Sequence, residues 1–138
     1  MTEALEIQTD DERMNYPAHL FGYAYSLVVE PNIFTWADKL SNDYTGGYWK
    51  FYKLPGDHPG FYMVPDTDKT YHVQAPNMND VDLTAEEFGI VCCLYTYSHL
   101  SFGRAVPGRE CANQFHILRE YMLDNEQLNR QAILKAID

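Results

Sequence analysis

The sequence predicts an α+β domain in which a small three-stranded antiparallel sheet packs with about four helices. Three runs of strand composition follow one another between residues 48 and 75, and runs with helical spacing lie before and after them. Strands grouped in one block between helices are typical of a small antiparallel sheet covered by helices. At 138 residues the chain can bury a core of its own, so we expect residues 1–138 to form a single domain.

The N-terminal segment combines an acidic stretch with weak signals of secondary structure. Five acidic residues precede the first base, Arg13, and these are Glu3, Glu6, Asp10, Asp11 and Glu12. Like charges at this density stay solvated, so we expect residues 1–10 to form a mobile acidic arm. Pro17 suits the first position of a helix. Residues 25–29 have strand composition, although they could also close that helix.

A helix is predicted after Pro31. Apolar side chains recur there at helical spacing, at Ile33, Trp36 or Ala37, Leu40 and Tyr44. Gly46 and Gly47 end this helix, because glycine is the poorest helix former after proline.

The next residues predict the sheet. Residues 48–54 and 61–64 have strand composition and flank a loop of turn formers at 55–59. A further strand is expected at 70–75, after a turn at 66–69, which gives a three-stranded antiparallel meander.

The C-terminal half predicts helices. Residues 84–87 have the form of a capping box and predict a long helix to about Leu100. This helix is apolar nearly all round, so we expect it to be the central one. Another helix begins at 107–110, and a last short helix follows Asp124 and Asn125.

The net charge of −10 is unevenly distributed. Residues 1–100 hold 15 acidic and 5 basic residues, whereas residues 101–138 hold 5 of each. This balance disfavours direct binding of nucleic acid. The negative charge is also too sparse for full mimicry of DNA. Duplex DNA carries one charge per roughly 1.7 Å of its axis, so a domain roughly 40 Å long would have to imitate about 24 phosphates.

Several features predict a cytoplasmic protein without a membrane span. The first residues lack a basic flank and an apolar core, and no run approaches the length of a membrane-spanning helix. The three cysteines form no framework, because Cys92 and Cys93 are adjacent and Cys111 stands alone. We therefore expect free thiols, and we expect a monomer.

The histidines and cysteines do not predict an active site. Cys92 and Cys93 lie within an apolar helical run, where a thiol ionises poorly. Cys111 and His116 are five residues apart, about 140° around a helix, so they do not share a face. No zinc-binding or nucleotide-binding motif occurs, and we expect no metal, no cofactor and no enzymatic activity. A small enzyme using scattered His and Cys residues remains the rival interpretation.

The aromatic hairpin has two possible roles. Its rings alternate onto both faces of the predicted sheet, where an antiparallel sheet exposed on one side would carry polar residues. Either both faces are covered, or one face displays an aromatic patch to a partner. Aromatic residues serve cores and interfaces alike, so both interpretations stay open.

The order of residues in the hairpin resembles the ArdB/KlcA family of antirestriction proteins. That order is a Gly-Gly pair, an aromatic residue, Trp49, Phe51-Tyr52, a loop, then Gly60-Phe61-Tyr62-Met63 with a proline after one further residue. The resemblance covers about residues 10–138 and extends to Arg13-Met14, Gly89-Ile90-Val91, Phe115-His116-Ile117-Leu118-Arg119 and Ala136-Ile137-Asp138. The chain departs from the family in its Pro55–Pro59 loop and its Cys92-Cys93 pair.

The resemblance implies a function, and we expect the hairpin with its adjoining residues to be the interaction surface. Proteins of this family, found on plasmids and genomic islands, inhibit type I restriction endonucleases and largely spare methylation. The implied partner is a type I restriction enzyme or an associated host protein; an adaptor that acts indirectly on restriction is the alternative. The candidate interaction surface comprises Tyr44, Gly46, Gly47, Tyr48, Trp49, Tyr52, Gly60, Phe61, Tyr62, Met63 and Asp138.

Overall fold

A computed structural model describes residues 3–103 and 107–138. Its N-terminal part consists of strand β1 (Leu5–Glu6), helix α1 (Asp10–Phe21), a π-helical segment (Tyr25–Val29) and helix α2 (Glu30–Leu40). Thr9 caps α1 by accepting a hydrogen bond from the amide of Glu12 at 3.1 Å. Pro17 lies inside α1 and does not begin a second helix. The π-helical segment runs directly into α2, so residues 25–29 are helical and not an edge strand.

The rest of the chain completes an α+β fold, as predicted. It consists of β2 (Trp49–Leu54), β3 (Gly60–Pro65), β4 (Tyr71–Gln74), β5 (Asp80–Leu83), α3 (Ala85–Ser101), α4 (Gly108–Asp124) and α5 (Arg130–Ile137). The three-stranded antiparallel sheet is confirmed, with the strand order β1-β2-β3. Within the described residues, none of the helices has the length and apolarity needed to cross a membrane.

The third strand of the sheet differs from the predicted meander. β4 pairs with β5 in a separate two-stranded ribbon, with His72 opposite Asp82. The outer edge of β3 is closed by helix side chains: the amide of Phe61 donates to Gln114 Oε1 at 3.0 Å, and the hydroxyl of Tyr97 donates to the Phe61 carbonyl at 2.6 Å. These bonds satisfy the groups that another strand would have used.

The N-terminal arm supplies the third strand instead. Leu5 and Glu6 pair with β2, and the amide of Ile7 donates to the Phe51 carbonyl at 2.8 Å. Ile7 is buried against the core. The structure therefore contradicts the predicted mobile arm from Leu5 onward. The buried side chain of Ile7 and the backbone pairing with the edge of β2 hold this segment in place. Met1 and Thr2 of that arm lie outside the described residues.

Helix α3 is the central element, as its sequence predicts. The predicted capping box is present: the amide of Glu87 donates to Thr84 Oγ1, and the amide of Thr84 donates to Glu87 Oε1. Gly89 lets the helix lie directly on β3, because a Cβ atom placed there would be 2.6 Å from the Cα atom of Val64. Only glycine permits so close an approach without moving backbone.

Substitution of Gly89 by alanine is predicted to destabilise the protein by about 1–3 kcal/mol, the usual range for overpacking. In an unconstrained helix the same change stabilises by roughly 0.5–1 kcal/mol, so the sign is diagnostic. Urea unfolding of Gly89→Ala, with the exposed Asn113→Ala on α4 as the control, measures it. A stabilised variant would contradict the close packing of α3 on β3.

The β4–β5 ribbon carries a charged cluster on its exposed face. His72 Nδ1 is 2.8 Å from Asp82 Oδ1, and His72 Nε2 is 3.6 Å from Asp80 Oδ2. The amide of His72 donates to Asp43 Oδ2 at 2.8 Å. The hydrogen bond to Asp82, together with the charge of both aspartates, raises the pKa of His72 above its ordinary value of 6.5.

Because the folded-state pKa of His72 is raised, its stabilising contribution is complete below pH 6.5. That contribution should be lost as the pH rises through the folded-state value. Titration of the imidazole by NMR should give a pKa above 6.5, and Asp82→Asn should return it toward 6.5. A His72 pKa at or below 6.5 in the unmodified protein would contradict the cluster.

Candidate functional site

The structure buries half of the aromatic residues of the candidate surface. Trp49, Phe61, Tyr62 and Met63 are at most 3% exposed, and Gly60 is buried with them. Phe51, Phe61 and Met63 face α1 and the π-helical segment, whereas Tyr52 and Tyr62 face α3 and α4. Both faces of β3 are therefore covered, and the rings of Trp49, Phe61 and Tyr62 cannot contact a partner without unfolding the sheet.

Three residues at the entrance to the hairpin remain on the surface. Gly46 and Gly47 are exposed, and their φ angles of 89° and 113° lie in a region that other residues rarely adopt. They turn the chain so that Tyr48, 61% exposed, stands outside the sheet. Tyr44, just before them, is half-buried and its hydroxyl accepts a hydrogen bond from Trp49 Nε1 at 3.2 Å.

Arg13 fixes Tyr48 in place. The guanidinium carbon of Arg13 lies 4.0 Å from the ring centre of Phe51 and 4.7 Å from that of Tyr48. Its Nη1 atom donates to the Trp49 carbonyl at 3.1 Å. The planar guanidinium is thus held between a buried ring and an exposed ring, which orients Tyr48 over α1.

An apolar groove begins at Arg13 and continues along α1. It has a volume of about 570 Å³, and its lining includes Arg13, Met14, Gly22, Tyr23, Tyr25, Glu30 and Phe51. Met14 is 73% exposed, Tyr23 is 92% exposed, and Leu27 on the π-helical segment is 75% exposed. We call Arg13, Tyr48, Met14, Tyr23 and Leu27, with this groove, the α1 docking surface. Large exposed apolar side chains together with an arginine and two tyrosines have the composition that is typical of a protein interface.

The floor of the groove is a hydrogen-bonded pair. The hydroxyl of Tyr25 donates to Glu30 Oε2 at 2.7 Å. Burial, followed by the hydrogen bond to Glu30, raises the pKa of Tyr25, so it stays protonated at neutral pH. The Tyr25 hydroxyl therefore stays a hydrogen-bond donor, which suits binding and not proton transfer.

Two other candidate residues lie away from the α1 docking surface. Tyr52 is half-buried on the opposite face of the sheet, where its ring stacks on Tyr62. Asp138 ends α5, and its Oδ2 atom is 3.7 Å from Arg119 Nη2 on α4. Both residues belong to the predicted candidate surface, but the fold places them on different surfaces of the protein.

The thiols are part of the core. Cys92, Cys93 and Cys111 are all 0% exposed. Burial raises the pKa of Cys93 and of Cys111 to about 12, and raises that of Cys92 well above its ordinary value. A thiolate nucleophile is thus disfavoured at all three positions. In residues 3–103 and 107–138, no group of three or more His, Cys, Asp or Glu side chains is arranged to hold a metal ion.

Sequence reasoning missed most of the α1 docking surface. The sequence distinguishes Arg13 and Met14 only through the resemblance to the family, and it does not distinguish Tyr23 and Leu27 as surface residues. No local signal distinguishes Met14, Tyr23 and Leu27, because the same stretch is rich in large apolar residues that the fold buries, such as Phe21 and Val29.

Comparison with known proteins identifies relatives over nearly the whole chain. A family model described as antirestriction protein matches residues 42–138. The uncharacterized protein YafX of Escherichia coli (strain K12) is 33% identical over 131 residues, which are 94% of this chain and 84% of the relative. The antirestriction protein KlcA of Escherichia coli is 26% identical over 132 residues, which are 92% of this chain and 89% of that protein.

The fold is also found in a solved structure. That match has a TM-score of 0.84 at 25% identity and covers 99% of this chain and 95% of the other. It comes from a study of the KlcA and ArdB proteins, described as having a novel fold and antirestriction activity against type I DNA restriction systems in vivo but not in vitro.

The stack of Arg13 on Tyr48 should appear as an energetic coupling between the two residues. In a double-mutant cycle with Arg13→Gln and Tyr48→Leu, we expect a coupling of about 0.5–1 kcal/mol in urea unfolding, typical of an exposed cation–π contact. The matched cycle pairs Arg13→Gln with Tyr23→Leu, whose exposed ring Arg13 does not cover, and should give a value near zero. Equal coupling in both cycles would contradict the described stack.

Proposed function

The chain belongs to the antirestriction protein family, and we propose that it inhibits cleavage of unmodified incoming DNA by type I restriction systems while largely sparing methylation. The observation that carries this proposal is the structural match over 99% of the chain to proteins with antirestriction activity against type I systems. The family model and the similarity to KlcA support the same conclusion.

The mechanism we propose is non-catalytic binding to a protein through the α1 docking surface. Its exposed Met14, Tyr23, Leu27 and Tyr48 offer apolar contact area that the fold does not use. Aromatic and arginine side chains at the centre of an interface supply most of its binding energy. The buried thiols and the protonated Tyr25 do not favour the rival enzyme, since neither supplies an activated nucleophile or base.

Charge assists the encounter and does not replace these contacts. A net charge of −10 supports steering toward a basic partner, although it falls short of the charge density of duplex DNA. We expect the protein to act in the cytoplasm, as a monomer, on a type I restriction enzyme or a host protein associated with it.

A second candidate function is favoured by one observation. The solved relatives show antirestriction activity in vivo but not in vitro. If the same holds for this chain, a component present in cells and missing from purified assays is required, and the protein would act as an adaptor on restriction. The α1 docking surface would then bind that component.

The test is the plating efficiency of unmodified phage on cells with an active type I system, with methylation of progeny DNA measured in parallel. We expect recovered plating and intact methylation with the unmodified protein. Tyr48→Ser and Tyr23→Ser should each lose most of this protection, since an aromatic anchor contributes about 2 kcal/mol or more to binding, roughly thirtyfold in affinity.

The matched control is Phe102→Ser, which removes a ring that is 85% exposed but lies outside the α1 docking surface. It should retain protection at equal cellular abundance. Unchanged restriction in the presence of abundant unmodified protein would refute the function. Full protection by both tyrosine variants would refute the surface only.

A further inference from the structure

A second cleft lies on the other face of the sheet from the α1 docking surface. It has a volume of about 410 Å³ and is bounded by β2, β3, the first turn of α3 and the end of α4. Its walls carry the tyrosines Tyr52, Tyr62 and Tyr121 and the acids Glu3, Glu86 and Asp124. No lysine, arginine or histidine among the described residues lines it.

The three tyrosines form a ladder of stacked rings. The ring centres of Tyr52 and Tyr62 are 5.1 Å apart with an angle of 9° between the rings, and those of Tyr62 and Tyr121 are 5.7 Å apart with an angle of 30°. Tyr62 is fully buried at the back, whereas Tyr52 and Tyr121 are half-buried. The cleft thus has a rigid aromatic wall with two accessible rings.

Glu86 is oriented by this wall. The hydroxyl of Tyr62 donates to Glu86 Oε2 at 3.1 Å. Burial, followed by the charge of Glu86, raises the pKa of Tyr62, so the hydroxyl remains a donor at neutral pH. Within the part of the chain that the structure describes, Glu86, Glu3 and Asp124 form no ion pair. The carboxylate of Glu86 is therefore positioned without a basic partner of its own.

We propose that this cleft binds the guanidinium side chain of an arginine on a partner protein. The face of a tyrosine ring attracts a cation, and a planar guanidinium can stack on the ring while its N–H groups donate to a carboxylate. The chain uses such stacking internally, where Arg13 lies against the rings of Tyr48 and Phe51. An ammonium group has no plane to stack, so lysine fits less well.

One basic residue lies nearby without filling the cleft. Lys50 Nζ is 6.0 Å from the ring centre of Tyr52, at the outer limit for a cation–π contact, and it lines a neighbouring depression. Lys50 shares that depression with Glu86 but does not line the cleft itself.

This inference rests on the proposed function only for the identity of the partner. Binding of the side chain itself can be measured without restriction. The probe is N-acetyl-arginine methylamide, titrated into the isotope-labelled protein and followed by NMR. The controls are N-acetyl-citrulline methylamide, which has the same shape without the charge, and N-acetyl-lysine methylamide.

We expect saturable shifts at Tyr52, Glu86 and Tyr121 with the arginine probe, at least tenfold weaker binding of the citrulline probe, and weaker binding of the lysine probe. Glu86→Gln retains an acceptor for the Tyr62 hydroxyl but should weaken arginine binding about tenfold. Asp38→Asn, an exposed acid on α2, should leave the affinity unchanged.

Absent shifts at the cleft, or equal binding of the arginine and citrulline probes, would overturn the site. Equal binding of the lysine probe would overturn the assignment to arginine. Failure of the proposed function is distinguished by phage plating: lost protection by the unmodified protein, with intact binding of the arginine probe, refutes antirestriction and leaves the cleft in place.

Discussion

The packing of α3 on β3 at Gly89 sets the arrangement of the rest of the molecule. With no side chain at that position, the helix backbone reaches Val64, and the buried residues of α3 fill one side of the strand. α1 and the π-helical segment cover the other side, while Gln114 and Tyr97 satisfy the outer edge. β3 is thus enclosed on both faces and along one edge, and an aromatic strand becomes the core.

This enclosure determines where a partner can bind. Since the rings of β3 are unavailable, the accessible aromatic and apolar groups lie at the periphery, where Gly46 and Gly47 release Tyr48 from the sheet and the π-helical segment presents Leu27. The second accessible set of rings, at Tyr52 and Tyr121, lies across the sheet beside Glu86. The two surfaces differ in chemistry, one apolar and one acidic, and the same core holds both in place.

Local signals predicted the class of fold and the C-terminal helices well. The apolar run of α3 and its Thr84 capping box are encoded in adjacent residues, and both are confirmed. The strand pairing of the sheet was harder to predict, because it depends on which strand edge remains free to pair. Gln114, 53 residues away in sequence, accepts a hydrogen bond from β3 and so closes the edge of that strand. The burial of one residue, Ile7, likewise converts an acidic arm into a strand. For the site, composition identified the hairpin, but only the covering helices show which of its rings are exposed.

The central claim, that the α1 docking surface binds a protein of the restriction machinery, is tested most directly by site-specific photocrosslinking in cells with an active type I system. A photoreactive phenylalanine derivative would replace Tyr48, Tyr23 or, as the control, Phe102. The account predicts crosslinks from positions 48 and 23, and not from 102, to a subunit of the restriction enzyme or to a host protein bound to it. Crosslinks to such a protein from position 102 alone, in cells that remain protected, would contradict it.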